Sequence, residues 1–165
     1  PGTNCEYDTA QACLRAGIEP EIVVVRNLST DLLAQSAQAL EQEGVCAITG
    51  PLMTTRSKPE LANATDKNPG ILSRHGVKTA ICTDYNVMPI GMLPICAGMA
   101  VREGMDYQQA LAAITIHPAQ IVGIADRVGS LAAGKDADFS VFSQDPLTIA
   151  AKPEMVVING KIVRG

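Results

Sequence analysis

The stretch Val77-Lys78-Thr79-Ala80-Ile81-Cys82-Thr83-Asp84 decides the reading of this chain. It is a short apolar run that stops at a carboxylate. Bounded by Gly76 on one side and Asp84 on the other, residues 77–82 suit a central strand buried in a parallel sheet, with Asp84 at its carboxyl end. A short helix over 70–75 precedes it. Helices over about 92–103 and 107–115 follow, the second with Asp106 as its N-cap. Upstream, the spacing of Leu33, Ala37 and Leu40 predicts a helix over 30–42, closed by Gly44, and 45–49 reads as the next strand. Earlier still, Thr3 and Glu6 form a capping box for a first helix with Ala10, Cys13 and Leu14 on its apolar stripe and Gly17 at its end. The β-branched run 21–25 is then a further buried strand. Helices alternating with short apolar strands imply an α/β fold with a parallel sheet.

Two regions depart from that alternation. Residues 50–69 hold Pro51, Pro59 and Pro69 among many polar side chains and read as a long loop, of the kind that is often functional. After Gly123, short strands replace helices, at 138–142, 155–158 and 161–163. Asn159-Gly160 between the last two is a type I′ hairpin signal. A lone hairpin is marginal in water, so the three strands are expected to form a small antiparallel sheet.

Composition excludes several classes. The 165 residues are 47% hydrophobic and 18% charged, which is globular. A net charge of −4 and 3% aromatics offer neither a basic footprint nor stacking platforms for nucleic acid. The apolar run 90–101 is broken by Pro94 and glycines and is too short to span a bilayer. No signal peptide is legible. The five cysteines (Cys5, Cys13, Cys46, Cys82 and Cys96) contain no CxxC pair and read as free thiols in a reducing cytoplasm. The chain starts at Pro1 without Met, as expected of a fragment, a processed product or a partial sequence.

Asp84 is the chemical candidate. Ligands gather at the carboxyl ends of parallel strands, where a carboxylate can bind a metal or move a proton. By position alone, an Asp there also serves to cap the next turn.

Several strings, in order, resemble one family: Ala80-Ile81-Cys82-Thr83-Asp84; Ala110-Leu111-Ala112-Ala113-Ile114-Thr115 with His117-Pro118-Ala119; Val128-Gly129-Ser130-Leu131-Ala132-Ala133-Gly134-Lys135-Asp136-Ala137-Asp138; and Val156-Val157-Ile158-Asn159-Gly160-Lys161. Together with Gly50-Pro51-Leu52 and Arg56-Ser57-Lys58, they resemble the C-terminal part of the amidohydrolase superfamily, near imidazolonepropionase-like members, over about residues 44–165. The resemblance implies the parallel-sheet fragment of a (β/α)₈ barrel (about 43–123) and sandwich-type strands (124–165). It implies hydrolysis of non-peptide C–N bonds of a small-molecule substrate with zinc or another divalent metal, and it makes Asp84 both metal contact and proton shuttle. The family's His-x-His pair and further histidine ligands have no match here. His75 and His117 fall at no ligand position. One carboxylate is short of the roughly three protein ligands a catalytic zinc takes, so stable metal binding and independent activity are not expected.

The beginning, Pro1-Gly2-Thr3-Asn4-Cys5-Glu6-Tyr7-Asp8-Thr9 with Ala16-Gly17 and Arg26-Asn27-Leu28, resembles the start of the glutaminase domain of phosphoribosylformylglycinamidine synthase over about 1–40. That gives a glutaminase-like segment over 1–42 and two alternative readings: a non-catalytic chimeric scaffold, or a glutamine amidotransferase-related piece of purine biosynthesis. Cys5 is not that family's nucleophile. Gly2-Thr3-Asn4 is a plain helix cap, Arg56 and Lys58 a solvated loop face, and Lys135 a turn-shaping residue beside Asp136 and Asp138. A barrel fragment cannot close, and its open edges imply a homo-oligomer.

Overall fold

A computed structural model describes residues 22–25, 30–56 and 59–165; side chains are described from residue 30 onward, apart from Glu60. The expected first helix, with Cys5 and Cys13, lies outside the described residues, as do Ser57 and Lys58.

Three strands form a parallel sheet in the order β1 (Ile22–Val25), β2 (Cys46–Thr49), β3 (Thr79–Ile81). The register pairs Ile22 with Cys46 and Ala47 with Thr79. Helix α1 spans Thr30–Gln42, as its apolar spacing predicts, and buries Leu33, Ser36, Ala37 and Leu40. With Val45 and Ala47 of the following segment, and Ile71 and Leu72 of α2 (Asn68–Arg74), this face makes one core cluster. Burying such side chains stabilises each by roughly 1.5–3 kcal/mol.

The second core cluster lies beyond β3. It joins Ile81 to Cys96, Ala97 and Ala100 of α3 (Leu93–Arg102), to Ala110 of α4 (Tyr107–Ala112), and to Leu147 far along the chain. Leu147 sits on α3 where Gly98 leaves room: a Cβ at Gly98 would stand 2.0 Å from the Leu147 carbonyl oxygen. Asp106 caps α4 as expected, accepting from the Gln109 N–H at 3.0 Å.

The expected helix over 107–115 is shorter than its spacing suggests. It ends at Ala112, and a separate helix α5 (Ile116–Ile121) follows. Pro118 does not stop α5 because the first turn of a helix has no intrahelical use for a Pro nitrogen's missing proton.

The last strands form the expected antiparallel sheet, in the order β4 (Phe139–Phe142), β5 (Pro153–Ile158), β6 (Lys161–Arg164). Asn159 and Gly160 both take positive φ, 49° and 72°, as a type I′ turn requires. Asp138 Oδ1 accepts from the Asn159 N–H at 2.7 Å and ties the hairpin to the strand before it. Lys135 shapes this region through other partners than expected: its Nζ donates to Ser130 Oγ at 2.7 Å, whereas Asp136 pairs with Arg127 at 2.6 Å. Among the described residues, no helix is long and apolar enough to cross a membrane.

Candidate active site

Asp84 stands just past the carboxyl end of β3, as expected of a ligand-facing position. The strand differs from expectation in one respect. It is an edge of the described sheet, not a central strand, with β2 as its only strand neighbour there. Asp84 is half-buried, and its φ of 49° places it in the left-handed region, which Asp tolerates better than most residues. Its carbonyl oxygen accepts from the Val87 N–H at 2.7 Å, so it also opens the turn that follows.

The backbone beside Asp84 is held by a close crossing. The Cys82 N–H donates to the Thr49 carbonyl at 3.0 Å, extending the β2–β3 ladder by one bond. Gly50 then passes so near that a Cβ there would lie 2.1 Å from the Cys82 carbonyl oxygen. Past this crossing, the segment from Gly50 to Thr55 curves over the strand ends. It walls an open cavity of about 450 Å³ with Asp84, Val87 and Met88 on the other side. A second cavity, of about 290 Å³, shares Gly50, Pro51, Thr54 and Ala64 with the first. Arg56 is exposed, as expected of a solvated loop face; it also lines this second cavity, and its Nε donates to the Ala64 carbonyl at 3.3 Å.

Neither histidine reaches Asp84. His75 caps the C-terminus of α2 and is exposed. His117, on α5, sits with Nδ1 3.0 Å from the Thr79 carbonyl oxygen, at the first residue of β3. Both stand at the end of the strand away from Asp84. Among the described residues, no group of three or more His, Cys, Asp or Glu side chains could hold a metal ion. The donors described here therefore do not fit a complete catalytic zinc site, which takes about three protein ligands.

Beneath the site, Cys96 is fully buried on α3, with its Sγ 3.2 Å from Met88 Sδ. Burial pushes the Cys96 thiol above its ordinary range. A backbone hydrogen bond from Leu52 opposes that shift, and the nearby Asp66 charge adds to it. The thiol is thus neutral packing, not a nucleophile.

The parallel sheet and the appended antiparallel sheet agree with the comparison to known proteins. The model of the Amidohydrolase family matches residues 3–163, and the chain belongs to that family. The match starts far upstream of Gly44, so one family spans the stretch that resembles a glutaminase as well. The imidazolonepropionase of Shewanella oneidensis is 30% identical over 142 residues, covering 76% of this chain and 32% of that protein. That of Klebsiella pneumoniae (strain 342) is 31% identical over 142 residues, covering 81% of this chain and 35% of its own. The chain thus spans about a third of the length of the curated relatives it matches. An amidohydrolase from Thermotoga maritima MSB8 superposes with a TM-score of 0.84 at 29% identity, covering 99% of this chain and 42% of that one. A zinc-bound adenosine deaminase from Xanthomonas campestris shares the fold, with a TM-score of 0.68 at 23% identity over 99% of this chain and 44% of that one.

Proposed function

We propose that the chain is the C-terminal part of a metal-dependent hydrolase of non-peptide C–N bonds, built in the parent as a (β/α)₈ barrel. In this reading Asp84 is the carboxylate that takes the proton of the attacking water and returns it to the leaving nitrogen. The observation that carries the reading is the placing of Asp84: past the carboxyl end of a parallel strand, half-buried, on the wall of an open cavity. Membership of the family and the imidazolonepropionase relatives support C–N hydrolysis as the chemistry. Zinc or another divalent ion is the expected cofactor, and a zinc-bound structure with this fold supports it. Among the described residues Asp84 is the one ligand offered at that place, so the remaining ligands come from outside them, and the chain by itself is inactive.

A segment exchange tests this. Residues 44–165 replace the aligned segment of the Shewanella oneidensis imidazolonepropionase, and ring opening of that enzyme's own substrate is followed. A folded, metal-loaded exchange protein is expected to turn over, and Asp84→Asn is expected to lower kcat by about a hundredfold or more. Undiminished turnover by the Asp84→Asn protein would overturn the assignment. Loss of turnover in the parent exchange, with fold and metal intact, would favour a non-catalytic scaffold.

A further inference from the structure

The smaller cavity, beside that of Asp84, differs from it in chemistry. Thr49 and Asn68, only 1% and 2% exposed, line it together with Asp66, Glu103 and Arg56. The Asn68 Oδ1 is buried and has no hydrogen-bond partner among the described residues. A carboxamide oxygen only accepts, and buried acceptors in native proteins are nearly always satisfied by protein, water or ligand. Asp66 adds a carboxylate, which is fixed in place because its Oδ1 accepts from the Met53 N–H at 2.9 Å. Asp66 and Glu103 share the lining with Arg56, and Glu103 also pairs with Arg102 at 3.9 Å, so Asn68 Oδ1 and the Asp66 carboxylate are the acceptors that a ligand would meet. The complement to such a wall is a group rich in N–H donors and positively charged.

We propose that this cavity binds the guanidinium or amidinium end of a small molecule, with Asn68 Oδ1 and the Asp66 carboxylate as its acceptors. A planar cation of this kind presents several N–H donors in one plane and can reach two acceptors at once. At about 290 Å³ the space suits a headgroup rather than a whole ligand. A divalent metal ion suits it less, because the Arg56 guanidinium on the wall repels a concentrated double charge more than a single charge spread over a planar group. The proposal stands apart from the hydrolytic reading, since none of these acceptors belongs to the wall that carries Asp84.

The test is a titration of the ¹⁵N-labelled full chain with methylguanidinium chloride at constant ionic strength, followed by two-dimensional NMR, with neutral N-methylurea as the control. Methylguanidinium is expected to shift the Asn68 side-chain amide and the Met53 N–H saturably, and to bind more tightly than N-methylurea. Asn68→Leu keeps the approximate shape and removes the acceptor, and should weaken binding by about tenfold or more while melting no lower than the parent. Asp66→Asn keeps the size and removes the charge, should also weaken binding, and decides the matter if Asn68→Leu does not fold. The proposal is overturned if methylguanidinium gives no saturable shift, if the variants bind it as the parent does, or if crystals grown with it show only water on Asn68 Oδ1.

Discussion

The His117 Nδ1 donates to the carbonyl oxygen of Thr79 at 3.0 Å, and this single bond settles what His117 does. A carbonyl can only accept, so the proton resides on Nδ1. Thr79 is the first residue of β3 and Asp84 lies past its last, so the imidazole and the carboxylate stand at opposite ends of the strand. Ala113 acts beside it, its carbonyl accepting from the Ile81 N–H at 3.0 Å. Thr79 and Ile81 turn their backbone groups to the outer edge of β3, and these two bonds cover that edge. The edge of a barrel-derived strand was expected to be open; here the α4–α5 segment closes it.

His117→Ala should therefore destabilise the fold by about 1–3 kcal/mol, because it leaves the buried Thr79 carbonyl without its donor. Urea denaturation measures this. The zinc content of the imidazolonepropionase exchange protein should be unchanged by the same substitution. A fall in metal affinity with little loss of stability would show that the histidine is a ligand after all.

Gly50→Ala should cost more, about 3 kcal/mol, since the added carbon meets the Cys82 carbonyl and the backbone there has a φ of 139°. The Cys82 oxygen is main chain and cannot rotate away. A loss under about 1 kcal/mol in thermal or urea denaturation would mean that the two segments separate easily, and that the wall between the cavities is soft.

Alkaline pH should destabilise the protein through Cys96. The folded-state value is raised above the ordinary 9.0, mainly by burial. The stability supported by the neutral thiol is complete below the ordinary value and is lost as pH rises through the raised one. Tyr107 titrates in the same direction, because its hydroxyl donates to Asp145 Oδ1 at 2.9 Å and that hydrogen bond holds its value up. Melting temperature should therefore fall above about pH 9, and a Cys96→Ala, Tyr107→Phe protein should fall less steeply over the same range. Parallel curves for the two proteins would remove both groups from the account.

We propose self-association through the antiparallel sheet. β6 is one of its two edges, and every residue of that strand is exposed, Ile162 by 66% and Val163 by 58%. The apolar middle of this edge, between Lys161 and Arg164, leaves backbone groups that can pair with another strand. Light scattering should show mass rising with concentration, and Ile162→Lys should suppress the rise. A monomer at all concentrations would contradict the proposal.

Much of the fold is legible locally. Helix α1 has the bounds its apolar spacing predicts, and the Asn159-Gly160 turn follows from the φ values those two residues tolerate. Strand β3 is shorter than residues 77–82 suggest because a ladder needs a partner, and β2 stops at Thr49, where Gly50 turns away. The Asp84 position is legible because it depends on one strand end. The cavity around Asn68 is not. Asn68-Pro69-Gly70 has the composition of a turn yet begins a helix, with the proline in its first turn. The cavity brings Asn68 together with residues distant in sequence, Thr49 and Glu103 among them. The signal that was available is the Pro one residue after Asn, which marks helix starts as well as turns.

The central claim is that this chain contributes one proton-handling carboxylate to an amidohydrolase site and not a metal centre of its own. Equilibrium dialysis of the full chain against Zn²⁺, followed by metal analysis, tests it most directly. The account predicts no stoichiometric retention of zinc, and the same result for Asp84→Asn. One zinc retained per chain, and lost on Asp84→Asn, would contradict it.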